Sequence, residues 1–281
     1  MTPTGPSPDP PSSQKDPPGY YFSAGRPREI TVDIEVLGTP RVIENGVPIT
    51  APTPESRHVL AVLAACPDRV VPVSVLADEL VRRVPPEHAH AALHTAVRRL
   101  RERFAEALGA GSVRTPEAVL STRPGGYLLD TAGGRCDVRD FEREAGAGYR
   151  AMERGDHGQA AARLRRALDL WTGPALDGID AGTWLRGRIA CLDADRVSVL
   201  GQWAEAELAL GRHRELRLAL AVLRGSGAGR PGGAYLAALR RTEARVEAVR
   251  RTPPATGPSL TGSSLTGSTL TGASLTGATC G

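Results

Sequence analysis

A mainly α-helical fold with a small antiparallel β component is what the sequence predicts, and three observations carry that expectation. Aromatic residues make up 4% and apolar residues 41% of the 281-residue chain, so its cores must be built from Leu, Val and Ala, which suits helices better than large sheets. Within Pro86 to Leu108, residues Ala89, Ala92, Leu93, Ala96, Val97, Leu100 and Phe104 recur at helical spacing and form one buried stripe. After Gly133-Gly134 the periodicity is helical throughout.

The elements follow in order. Residues 1 to 28, rich in Pro, Ser, Gly and Asp, cannot bury enough apolar surface to offset the entropy of ordering and read as a disordered arm. Ile30 to Val36 alternates apolar and polar residues as a half-buried strand, and Arg41–Ile43 and Val47–Ile49 flank Asn45-Gly46 as a hairpin. Pro54 to Ala65 and Val73 to Arg83 are helical, and Pro85-Pro86 breaks the chain before the third helix, where a first-turn proline is tolerated. Val119–Thr122 and Tyr127–Asp130 are strands around Arg123-Pro124-Gly125-Gly126. Strands, three helices and a hairpin in this order describe a winged helix with an N-terminal sheet, and the third helix takes the place of a DNA recognition helix. Helices over Val138–Arg154, Gly158–Trp171, Thr183–Leu210, Arg212–Leu223 and Ala234–Arg250 then suggest a tetratricopeptide-like stack, with Gly225 to Gly233 irregular. From Ser259 four pentads with a leucine at every fifth position are too few to stack and read as a flexible tail. The expected division is an arm over 1–28, a winged helix over 29–131, a helical domain over 135–251 and a tail over 252–281.

Composition narrows the function. Lys15 is the only lysine among 35 basic residues, so arginine alone is no argument for nucleic acid. Residues 29–130 hold 11 Arg against 13 acids, a net of −2, so any electrostatic footprint on DNA must be local to the helix and hairpin. Cys66, Cys136, Cys191 and Cys280 are isolated, which gives no disulfide framework or zinc spacing. His88, His90 and His94 lack acidic or Cys partners at ligand spacing, so neither metal nor cofactor is expected. A Walker A loop needs a lysine on the phosphates, and Lys15 follows no G-x-x-x-x-G; no G-x-S-x-G or H-E-x-x-H appears either, so no enzyme activity is expected. No apolar run approaches a membrane span and no secretory signal is present, so a cytoplasmic, nucleoid-associated protein is expected.

Two ordered sets of strings resemble the actinomycete antibiotic regulatory proteins, the SARP family. The first runs from Arg57-His58-Val59-Leu60-Ala61-Val62-Leu63 and Val70-Val71-Pro72-Val73 through Ala92-Leu93-His94-Thr95-Ala96-Val97-Arg98-Arg99-Leu100-Arg101 to Gly126-Tyr127-Leu128-Leu129. The second includes Cys136-Asp137-Val138-Arg139-Asp140-Phe141, Ala167-Leu168-Asp169-Leu170-Trp171-Thr172-Gly173-Pro174 and Glu207-Leu208-Ala209-Leu210-Gly211. The resemblance covers about two thirds of the chain. It implies an OmpR-type winged helix, the effector domain of two-component systems, joined to a bacterial transcriptional activation domain. It further implies binding to direct repeats at promoters as a homodimer on DNA, and recruitment of RNA polymerase holoenzyme to antibiotic biosynthesis genes. Carried over by position, the recognition helix is Pro86–Leu108 and the wing Arg123–Tyr127. Two departures stand out: Leu80-Val81 replaces a Leu-Trp ending of the second helix, which removes a core aromatic, and Gly225–Gly233 replaces a His-Pro-x-x-Glu segment.

Candidate DNA-binding residues are His94, Thr95, Arg98 and Arg101, opposite the apolar stripe, where guanidinium groups can bridge guanine or bond phosphate. Arg99 on the helix flank can equally pair with Glu102 or Glu106, and Arg103 is expected to lie along the core. Arg123, Gly125, Gly126 and Tyr127 form the wing, and Arg57 near the start of the first helix is a further phosphate candidate. Trp171, Trp184 and Trp203 are assigned to core packing. The competing reading is a co-regulator that keeps both folds, does not bind DNA, and acts through its helical repeats.

Overall fold

The computed structural model describes residues 31–225 and 233–251. The N-terminal arm, most of the Gly225–Gly233 stretch and the repeat tail lie outside the described residues.

Strands β1 (Val32–Glu35), β2 (Arg41–Glu44) and β3 (Val47–Pro48) form an antiparallel sheet in that order, with Val32 opposite Glu44 and Ile43 opposite Pro48. Asn45 and Gly46 take φ of 49° and 80°, the two left-handed positions a type I′ hairpin requires. Helix α1 (Pro54–Ala64) starts where the sequence places it: Pro54 opens its first turn, and the Thr53 hydroxyl accepts the Ser56 N–H at 3.2 Å. Helix α2 (Val73–Leu80) is shorter than its periodicity suggests. A 3₁₀ turn over Pro86–His88 leads into α3 (Ala89–Leu108), which ends at Gly109 with φ of 73°.

Two elements are too short to carry a local periodic signal in the sequence. Helix α4 (Pro116–Val119) is a single turn capped by Thr115, whose hydroxyl accepts the Ala118 N–H. Strand β4 (Val71–Pro72) joins β5 (Leu120–Arg123) and β6 (Gly126–Leu129) in a second sheet, ordered β4-β6-β5. Proline cannot donate to a ladder, and β4 is an edge strand where that loss is tolerated. The stripe of α3 is buried as expected at Ala89, Leu93, Ala96, Val97, Leu100 and Phe104, with Ala92 half-buried at its margin. The substitution of Val81 for an aromatic leaves no hole in the core: Val81 caps α2 and is 41% exposed, while Leu80 fills the interior.

The helical part comprises α5 (Asp137–Glu153), α6 (His157–Asp169), α7 (Thr183–Ala209), α8 (His213–Gly225) and α9 (Gly233–Arg251). Gly155 at φ of 73° turns the chain between α5 and α6, and the Asp156 carboxylate caps α6 by accepting the Gln159 N–H at 2.9 Å. Gly148 lets these two helices approach, since a Cβ there would sit 2.5 Å from Leu164 Cγ. Trp171 and Trp203 are buried as expected, whereas Trp184 is only half-buried. Arg196 of α7 is a buried charge the sequence did not reveal. Its guanidinium lies 4.5 Å from the Trp171 ring centre and 3.8 Å from that of Tyr235 in α9, and it donates to the Gly173 carbonyl at 3.3 Å. Burial pushes its pKa down from the usual arginine value.

One hydrophobic core runs through both parts, and two buried carboxylates join them. Asp137 Oδ2 of α5 accepts the N–H groups of Val36 and Leu37 at 2.7 and 2.8 Å. Glu79 of α2 caps α7 from outside: Oε2 accepts the Gly182 N–H at 2.8 Å and Oε1 the Leu185 N–H at 3.0 Å, while His58 Nε2 of α1 lies 3.0 Å from Oε2. A carboxylate at a helix N-terminus satisfies amides without intrahelical partners and complements the helix dipole. Gly182 is required for this approach, because a Cβ there would lie 2.4 Å from the Glu79 carboxylate.

Candidate nucleic-acid interface

Helix α3 and the β5–β6 wing meet through two side-chain contacts. Arg101, expected to face outward, instead turns its guanidinium to β5. Nε and Nη2 both donate to the Leu120 carbonyl, at 3.0 and 2.8 Å, and Nη2 also donates to the Thr122 hydroxyl at 2.9 Å. Three donors of one rigid fork are therefore committed to the wing. His94 Nδ1 and the Tyr127 hydroxyl share a hydrogen bond of 3.0 Å, with the rings edge to face at 74°.

The turn of the wing follows from its sequence. Pro124 fixes the first turn residue near φ of −65° and Gly125 supplies φ of 80° at the second, the pattern of a type II turn. Gly126 is fixed by its neighbour: a Cβ would sit 2.2 Å from the Val71 carbonyl oxygen in β4, and β4 is paired there with Val71 opposite Tyr127 and Pro72 opposite Gly126. The Val73 N–H also donates to the Gly125 carbonyl at 2.9 Å.

These contacts sort the candidate residues. Gly126 and Tyr127, expected as wing contacts, are buried and anchor the wing, and Tyr127 also borders the groove against α3. Arg123, Pro124 and Gly125 at the tip are exposed. Arg98 projects into solvent and pairs with Glu102 at 2.9 Å, with the two side chains 68% and 51% exposed. Such an exposed i,i+4 pair is worth only about 0.3–0.5 kcal/mol, less than the ~1–3 kcal/mol of a bidentate base contact, so the carboxylate does not withhold the guanidinium. Glu106 pairs with Arg103 at 2.8 Å, which leaves Arg99 on its half-buried flank without an ion pair among the described residues. The Thr95 hydroxyl donates to the Ala91 carbonyl at 2.9 Å and keeps its acceptor lone pairs.

A shallow groove between α3 and the wing is bordered by His94, Arg98, Arg101 and Glu117. Arg57 does not join this group. It borders a separate cleft with Arg83, Gly178 and Asp180, against the helical part. The sequence missed the clamping role of Arg101, since helical spacing shows that a residue lies off the apolar stripe but not which neighbouring strand it meets. It also missed Glu79, although Glu79 is three residues from Leu76 on the buried side of α2. Among the described residues no group of three or more His, Cys, Asp or Glu could hold a metal ion, and no helix is long and apolar enough to cross a membrane.

A winged helix followed by tetratricopeptide-like helices, with arginines on the third helix and a short wing, defines a class of transcriptional regulator. Residues 136–251 match the bacterial transcriptional activator domain family. The regulatory protein DnrI of Streptomyces peucetius is 40% identical over 192 residues, covering 68% of this chain and 71% of that protein. The transcriptional regulatory protein EmbR of Mycobacterium tuberculosis is 34% identical over 184 residues, covering 66% of this chain and 46% of that protein. A solved structure of M. tuberculosis EmbR in complex with a low affinity phosphopeptide superposes with a TM-score of 0.52 at 25% identity, over 79% of this chain and 66% of that one. The sequence match thus spans under half the length of EmbR. It belongs to the SARP family of transcriptional regulators.

Proposed function

We propose that this regulator is a sequence-specific DNA-binding activator acting in the cytoplasm at the nucleoid. In this reading α3 enters the major groove, with Arg98 reading or bridging the DNA, Arg99 and Thr95 beside it, and Arg123 on the flanking phosphates or minor groove. One observation carries it: the exposed Arg98 guanidinium stands on a helix that is tied at two points to the wing, so helix and wing present one rigid surface. Residues 29–131 are the DNA-binding unit and 135–251 the activating unit. Two copies bind direct repeats as a homodimer on DNA, and the helical unit contacts RNA polymerase holoenzyme. The family resemblance supports control of antibiotic biosynthesis genes.

Phosphate contacts release counterions, so log K against log salt falls with a slope of about −0.9 per phosphate neutralised. A salt titration of the full chain on promoter DNA is expected to give a steep negative slope. A flat line would instead select the co-regulator reading, which the net −2 of residues 29–130 keeps in play.

A further inference from the structure

Between the winged helix and the first turns of α7 lies a groove walled by Val70, Val71, Pro72 and Trp184. Cys66 and Cys191, both half-buried, line it. Cys66 follows α1 and Cys191 belongs to α7, so the two thiols come from different parts of the chain and share one groove only because the parts are docked. The docking here has an independent marker. Arg188 Nε donates to the Ala65 carbonyl at 3.4 Å, which brings α7 against the end of α1 at the residue next to Cys66. Cys191 is three residues from Arg188, on the same face of α7. Arg69 and Arg188 also line the groove. Cys136, by contrast, is buried, and its thiol is pushed up by burial.

We propose that Cys66 and Cys191 form a redox-modification site, at which a peroxide converts the two thiols to a disulfide that ties the winged helix to α7. In the first step one thiolate attacks a peroxide oxygen; the O–O bond breaks, the sulfur becomes a sulfenic acid, and one water leaves once the proton is returned. In the second the other thiolate attacks that sulfur, an S–S bond forms, and the hydroxyl leaves as a second water. Two thiols and one hydrogen peroxide thus give one disulfide and two waters.

The test treats the full chain with hydrogen peroxide, blocks remaining thiols with iodoacetamide, and maps peptides without reduction by mass spectrometry. The expected result is one peptide pair joining Cys66 to Cys191, released by dithiothreitol. A reducible rise of several degrees in Tm should accompany it, because the closed loop is long. The rise should persist in a C136S/C280S variant and vanish in C66S and in C191S. A map in which Cys66 and Cys191 are alkylated or oxidised but not joined, or joined to Cys136, Cys280 or a second chain, would overturn the proposal. The wild-type map decides this even if a serine variant fails to fold.

Discussion

Arg98 and Arg101 are one helical turn apart and carry the same group, yet their surroundings give them different work. Arg98 is held by a single weak pair and is open to solvent, where the proposed function places DNA. Its replacement by Ala is expected to lower operator affinity by about 1–3 kcal/mol, the range for a lost bidentate contact. Arg163→Ala in α6, which removes a pair with Glu144 away from α3 and the wing, should leave affinity unchanged in the same gel-shift titration. Arg101 holds the wing strand, so its loss should act through the orientation of the wing. Gly126 sets a sharper limit on the wing. Gly126→Ala forces a methyl group onto the Val71 carbonyl, and overpacking of this kind typically costs about 1–3 kcal/mol. A lower urea midpoint with an unchanged m value would register it, and a midpoint equal to the parent would show that β4 can yield.

At the scale of elements, the join between α2 and α7 depends on Glu79 and His58. Glu79→Ala leaves the Gly182 and Leu185 amides and His58 without their acceptor in a dry interior, a change worth about 3–5 kcal/mol by urea unfolding. Burial lowers the His58 pKa, more than its hydrogen bond to Glu79 raises it, with Arg83 lowering it and Asp180 raising it. His58 Nδ1 has no partner, which fits a neutral ring donating from Nε2. A depressed folded-state pKa means the stabilisation is fully present above the unfolded value near 6.5 and is lost as pH falls through the folded value. Melting temperatures of the parent and His58→Gln measured from pH 7.5 to 5 should therefore show a steeper acid-side fall in the parent; parallel curves would remove His58 from the pH response.

What the sequence makes legible follows from the range of each signal. Turn chemistry and helical period are local, so Asn45-Gly46, Thr53-Pro54 and the stripe of α3 marked their elements within a residue or two. Strand β4 escaped because two residues carry no alternation, and its identity comes from β6, more than fifty residues away. In the interface, spacing separates outward from inward positions on α3 but does not show which tips return to the wing, so it leaves Arg101 indistinguishable from Arg98, and it does not show that Tyr127 of the wing is buried against the helix.

At the scale of the whole molecule, the proposed function implies a geometry on DNA. A single winged helix buries little surface, so specific binding should need two copies on one face of the duplex, with half-sites about one helical turn, roughly 10–11 base pairs, apart. Inserting 5 base pairs between half-sites rotates one of them to the opposite face and should abolish cooperative binding, whereas cooperativity that survives would exclude the same-face arrangement.

The capping of α7 by Glu79 also bears on how the protein melts. The longest helix of the helical part starts on an acceptor supplied by the winged-helix part, and Val36 and Leu37 of the latter are held by Asp137 of the former. Neither half can open without stranding polar groups of the other. Residues 31–251 should then behave as one calorimetric unit, giving a single endotherm whose van't Hoff and measured enthalpies agree, despite the two-part architecture.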